Sequence, residues 1–219
     1  MPKKLVNNLE KEIFIVSSDL SRDYLEIGID SIYEGDIINE IPIIKSLYSF
    51  YKIGASLINR HNIKKNLIFL RQFKENKVSK ENLTYFKKKF ENNPEHREKV
   101  LEMILLLNER FLDERKSMIL ACLFSSYLEK KISWDDFEYM SLILNNFHPT
   151  LYLHLHDLFG EDPKLNMNFL KKNFGRSMLA ANGIGFFGED GYEGPHQSIG
   201  KKLYKFGLEP ILSKLIKVE

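Results

Sequence analysis

NMNFLKKNFGRSMLAANGIGFFGEDGYEGPHQSIGKKLYKFG, Asn166 to Gly207, is where helical spacing gives way to glycines, and its reading separates an all-helical chain from one with an α/β tail. Phe169, Leu170, Phe174 and Leu179 recur at helical spacing, while Lys171, Lys172 and Arg176 stand beside Asn168, Asn173 and Ser177. Gly183, Gly185, Gly188, Gly191 and Gly194 follow, residues that permit the positive-φ conformations of a hairpin. Ser198 is then predicted to cap a last helix that turns Ile199, Leu203 and Phe206 inward and Lys201, Lys202 and Lys205 outward. Helix, short strand from Ile184, glycine-rich turn, short strand and helix is the order of a winged-helix-like unit. The breaker run Gly160-Glu161-Asp162-Pro163 marks its predicted start. The expected division is therefore a helical bundle over 1–160 and a small α/β unit over 161–219.

Upstream of that run the pattern is helix after helix, about eight in all, with short links that make neighbours antiparallel. A first helix is predicted from about Asp19 to Tyr33, capped by Ser18. Pro42 opens a second, IPIIKSLYSFYKIGASLI, with Ile41, Ile44, Tyr48, Tyr51, Ala55 and Ile58 on one stripe and Ile43, Leu47, Phe50 and Leu57 on another. A third runs from about Asn62 to Glu75. Ser79 caps a fourth, Asn93-Pro94 ends it and opens a fifth, and Val100, Ile104, Leu107 and Phe111 give that fifth its core face. Asp113 caps a sixth, Ser133 and Asp136 form a capping box on a seventh, and His148-Pro149 begins an eighth. The predicted class is all-α with a small winged-helix-like appendage.

A chain of 219 residues with 43% hydrophobic and 28% charged residues can bury a core, and its net charge of +2 sets up no global attraction to polyanions. Charge instead alternates by block. Residues 1–58 sum to −3, 59–99 to +7, 100–162 to −6 and 163–219 to +4, an arrangement that favours self-association as readily as an outside partner. Cys122 stands alone among apolar neighbours and reads as a buried hydrophobe in a reducing compartment. The opening MPKKLVNN lacks the form of a signal peptide, so the expected location is the cytoplasm.

Catalytic and metal signatures are not found. There is no phosphate loop, dinucleotide fingerprint or paired-cysteine spacing, and ISWDDFEYM lacks the ligands of a calcium loop. On a helix His154 and His156 point about 200° apart, so they cannot share an ion. His148, His154 and His156 read as residues at the edge of a core. No catalytic residue, cofactor, metal or small-molecule ligand is assigned. Two interaction surfaces are. Lys171, Lys172, Arg176, Lys201 and Lys202 are the candidate nucleic-acid contacts, having cations for phosphates beside polar side chains for base edges. Ile44, Leu47, Tyr48 and Tyr51 are the candidate self-association or membrane surface. Glu40, Lys45 and Lys52 interrupt that helix too often for a stable single span, so a central core helix is the competing reading.

Two stretches resemble sequences of uncharacterised bacterial helical proteins: EIPIIKSLYSFYKIGASLINRHNIKKNLIFL through ISWDDFEYM, and the tail with SMLAANGIGFF and SIGKKLYKFG. Such proteins resemble abortive-infection and other phage-defence components, and the tail departs from their ending at Gln197-Ser198. The resemblance implies a role in antiphage defence and no mechanism. The expectation is a non-enzymatic bacterial protein acting through a protein partner or a homo-oligomer. A winged-helix nucleic-acid-binding regulator and a membrane-acting oligomeric effector are the alternatives.

Overall fold

Capping chemistry sets several of the helix boundaries. The fold is seen in a computed structural model, which describes residues 3–15, 42–51, 57–160, 178–184 and 195–216. Among the described residues the chain is helical, and no strand is present. In chain order the helices are α1 (Lys3–Phe14), α2 (Pro42–Tyr51), α3 (Leu57–Glu75), α4 (Lys80–Asn92), α5 (Pro94–Arg110), α6 (Arg115–Leu128), α7 (Trp134–Asn146), α8 (Leu151–Phe159) and α9 (Pro195–Leu203). A π-helical turn at Tyr204–Leu208 and a 3-10 turn at Glu209–Ile211 lead into α10 (Leu212–Ile216).

Ser79 accepts the Asn82 N–H at 3.3 Å and so starts α4, and Asn93 accepts the His96 N–H at 3.0 Å, with Pro94 in the first turn of α5. At α7 both halves of the capping box form. Ser133 Oγ accepts the Asp136 N–H at 3.0 Å, and Asp136 Oδ2 accepts the Ser133 N–H at 3.2 Å. An Asp therefore serves in the place usually held by Glu or Gln.

The chain forms two compact units, Met1–Ala121 and Cys122–Glu219, and the division falls within α6. In the first unit α1 packs on α2, α4 and α5, and α3 packs on α2 and α5. Leu9, Ile13, Ile44, Leu47, Phe69, Leu70, Phe90, Val100 and Ile104 are buried there, and each such side chain contributes about 1.5–3 kcal/mol. The second unit is built on an aromatic cluster. Tyr127 and Trp134 lie with ring centroids 5.7 Å from each other and 5.8 and 5.5 Å, respectively, from Phe137, while Phe124 is 5.8 Å from Phe137. Cys122 is buried, as its apolar neighbours predict.

Three expectations change. The strand expected from Ile184 is instead the end of a helical turn. Gly183 N–H donates to Ala180 O at 3.0 Å, and Ile184 N–H donates to Leu179 O at 2.9 Å. With Gly183 at φ +80° and both Leu179 and Ile184 fully buried, this is a Schellman closure with its apolar contact. The first glycine of the series thus stops a helix rather than opening a hairpin, and a winged-helix unit has no support among the described residues. The remaining tail glycines, Gly185 to Gly194, lie outside them. Ser198 is not a cap, because α9 begins at Pro195 and carries Ser198 in its interior. Leu57 and Ile58 belong to the start of α3 and not to the second helix, so they leave the apolar stripes to which their spacing assigned them. The predicted helix from Asp19 to Tyr33 lies outside the described residues.

Candidate functional site

The first half of α3 lies along the connection between α5 and α6, and polar groups on the helix hold that connection at several points. Lys65 is fully buried. Its Nζ donates to Glu109 O at 3.0 Å and to Phe111 O, where the last carbonyls of α5 have no helical partners. Burial lowers its pKa to about 8, although the Glu109 and Glu114 carboxylates act in the opposite direction. One turn earlier, His61 Nε2 lies 3.1 Å from Leu112 O and its Nδ1 3.5 Å from Glu114 Oε1. Lys64 reaches the same Glu114 oxygen at 3.0 Å. Lys116, also buried, places its Nζ 5.7 Å from the centre of the Phe111 ring.

These contacts present rather than hide apolar side chains. Leu112, next to the His61 ring, is 91% exposed, and Leu57 and Ile58, one turn before His61 on α3, are 85% and 70% exposed. Among the described residues these are the three most exposed large apolar side chains. Single exposed leucines are ordinary, but here Leu57 and Ile58 precede His61 by about one turn and Leu112 meets its ring through the carbonyl.

The second unit carries a different arrangement. His156 Nδ1 and Tyr204 Oη lie 2.9 Å apart, and their rings stack with centroids separated by 5.8 Å. A Cβ at Gly160 would fall 2.6 Å from His156 O and 2.8 Å from His156 Nδ1, so the absence of a side chain there leaves room for the ring. Tyr204 begins the π-helical turn, a local geometry enriched at functional sites. The contact joins α8 to the turn.

Ile44, Leu47, Tyr48 and Tyr51, expected as a self-association or membrane surface, are all buried. They face α1 and α3 inside the first unit, which accounts for their spacing as core. Burial pushes the Tyr51 hydroxyl above its ordinary pKa, the Glu109 carboxylate adds to the rise, and the Asn66 side chain opposes it. Among the described residues no helix is long and apolar enough to cross a membrane.

Of the expected nucleic-acid contacts, Lys171, Lys172 and Arg176 lie outside the described residues. Lys202 donates to Asp136 Oδ1 at 2.8 Å and Oδ2 at 2.9 Å, so its charge joins α9 to α7, while Lys201 is exposed. His154 and His156 point apart on α8, and among the described residues no group of three or more His, Cys, Asp or Glu could hold a metal ion. Sequence reasoning passed over His61 and Leu112 and took Lys65 for a solvated lysine, whereas it is buried. The available signal was Leu112-Asp113 directly after the last core residue of α5, where a large apolar side chain enters a connection with no face of its own to bury. No protein-family model, curated protein or solved structure matches the chain.

Proposed function

We infer that this protein acts by protein–protein association, without catalysis, and that a second copy of the chain is the partner that its first unit is built to meet. The observation that carries this reading is the group Leu57, Ile58 and Leu112, solvent-facing yet anchored through His61 and Lys65 to a rigid helix. Rigid anchoring matters because an apolar side chain that is already positioned loses less entropy on docking. Block charge supports a second copy as occupant. Residues 59–99 carry +7 and residues 100–162 carry −6, so two identical chains bring segments of opposite sign to each other. The resemblance of the quoted stretches is what supports a role in antiphage defence, as an accessory or sensing component.

Light scattering on the purified full chain across a wide concentration range tests the reading. Assembly should rise with concentration and should be abolished in a Leu57→Ser, Ile58→Ser, Leu112→Ser variant that keeps its helical circular dichroism. A chain that stays monomeric throughout, or a variant that assembles like the parent, would overturn it.

A further inference from the structure

His61 stands between two groups that can only accept. Its Nε2 faces the Leu112 carbonyl at 3.1 Å and its Nδ1 faces Glu114 Oε1 at 3.5 Å. A neutral imidazole has one N–H, so in either tautomer one ring nitrogen turns a lone pair toward an oxygen. The imidazolium has two N–H groups and satisfies both acceptors at once.

Other charged groups also hold the connection. Lys64 holds Glu114 Oε1 from α3 at 3.0 Å, and Lys65 Nζ occupies the Glu109 and Phe111 carbonyls. Asp113 is engaged by its own neighbour, accepting from Arg115 Nε at 3.0 Å. Histidine is the side chain whose charge ordinarily changes between about pH 5 and 8. We propose that His61 is a proton-operated latch, which on protonation fastens residues 111–114, and with them the exposed Leu112, to α3. The latch is a statement about this chain alone. Its consequence, that mild acid firms the docking surface, rests on the association reading above.

Amide hydrogen exchange of residues 111–117 in the full-length protein, at about pH 7 and about pH 5.5 and corrected for intrinsic rates, tests it. Protection should rise about two- to fivefold on acidification, the size expected of a partly exposed charge pair. His61→Gln should show no rise, and Glu114→Gln a smaller one, because the carbonyl contact survives while the anion is lost. Nitrogen NMR of the parent ring should show both nitrogens protonated at the lower pH. Unchanged protection in the parent would overturn the proposal, as would an undiminished rise in His61→Gln. An equal rise in the core amides of α4 would also overturn it, because that would be global stabilisation. If protection rises but Leu112→Ser leaves assembly intact, the latch stands and the association reading falls. If assembly needs Leu112 while protection is flat, the latch alone falls.

Discussion

Raising the pH from 8 towards 10 should stabilise this protein, and Lys65 is the reason. Its ammonium is buried, and burial lowers its pKa from 10.5 to about 8. The unfolded chain keeps the ordinary lysine value, so between those two values it binds more protons than the folded chain. Stability then rises with pH. At roughly 1.4 kcal/mol per pH unit the full difference is worth about 3 kcal/mol, present above the upper value and absent below pH 8. Lys74 and Lys116, both lowered chiefly by burial and partly restored by Glu12 and Asp113 respectively, add in the same direction. Tyr48 and Tyr51 oppose the trend near and above pH 10. Burial raises both phenols, so the unfolded chain loses those protons first and is favoured there.

The informative quantity is the difference between the parent and Lys65→Met. Methionine keeps the stem's volume and removes the charge, but it leaves the Glu109 and Phe111 carbonyls without a donor, at about 1–3 kcal/mol each. At pH 7 relief of the buried cation offsets much of that loss. By pH 10 the parent no longer pays for a buried charge, so its advantage over the variant should have grown by about 2–3 kcal/mol. Urea unfolding followed by far-ultraviolet circular dichroism at pH intervals reads this directly, provided the slope against denaturant stays constant. The single tryptophan, Trp134, lies in the second unit and would report the wrong core. A parent–variant difference that stays flat from pH 7 to 10, or shrinks, would refute the reasoning.

Backbone handedness, close packing and capping make four further predictions, each read from urea midpoints. Gly183→Ala should cost about 1–2 kcal/mol, because φ +80° disfavours any Cβ. Lys130→Gly should do the reverse and stabilise by up to about 1 kcal/mol, since Lys130 holds φ 58° at the close of α6. Gly200→Ala places a Cβ 2.6 Å from Ile184 Cγ2 and 3.1 Å from the Phe159 ring, so it should lose about 1–3 kcal/mol to overpacking despite alanine's better helix propensity, and Trp134 fluorescence is the suitable reporter. Asp136→Asn should cost about 1 kcal/mol at neutral pH through the weakened cap and the lost Lys202 pair. The Asp136 carboxyl sits below its ordinary pKa, with burial acting against the Lys202 and Ser133 hydrogen bonds that lower it, so the cost should fade as acid protonates the parent.

Where a helix start carries its own chemistry, the sequence was readable. Ser79, Asn93-Pro94 and Ser133 with Asp136 announce α4, α5 and α7, because a side-chain acceptor for an orphan N–H is a local requirement. The helix α1 was passed over although Leu5, Leu9 and Ile13 are regularly spaced, since Lys3, Lys4, Glu10, Lys11 and Glu12 dilute the pattern and Glu12 itself is buried. Gly183 was misread for a different reason: a glycine at positive φ serves a hairpin and a helix end equally well, and only the hydrogen bonds from Gly183 and Ile184 distinguish them. The site was the least legible part. Leu57 and Ile58 continue an apolar run by spacing and yet face solvent, because they belong to α3 and not to the helix whose stripe the run describes. The partnership of His61 and Lys65 with carbonyls about 45–50 residues later is a tertiary fact with no local trace.

The π-helical turn at Tyr204–Leu208 has a bearing on how this chain tolerates length changes. A π-turn holds one residue more than a turn of α-helix, and its wider ring absorbs that residue without rotating the helix beyond it. Tyr204 and Leu208 both reach the interior across that turn, and Ile211 just beyond it is fully buried. A chain shortened by one residue here could close the same turn as regular α-helix and leave Ile211 facing the interior. The least regular stretch of the backbone is therefore the one where a single deletion should do the least damage.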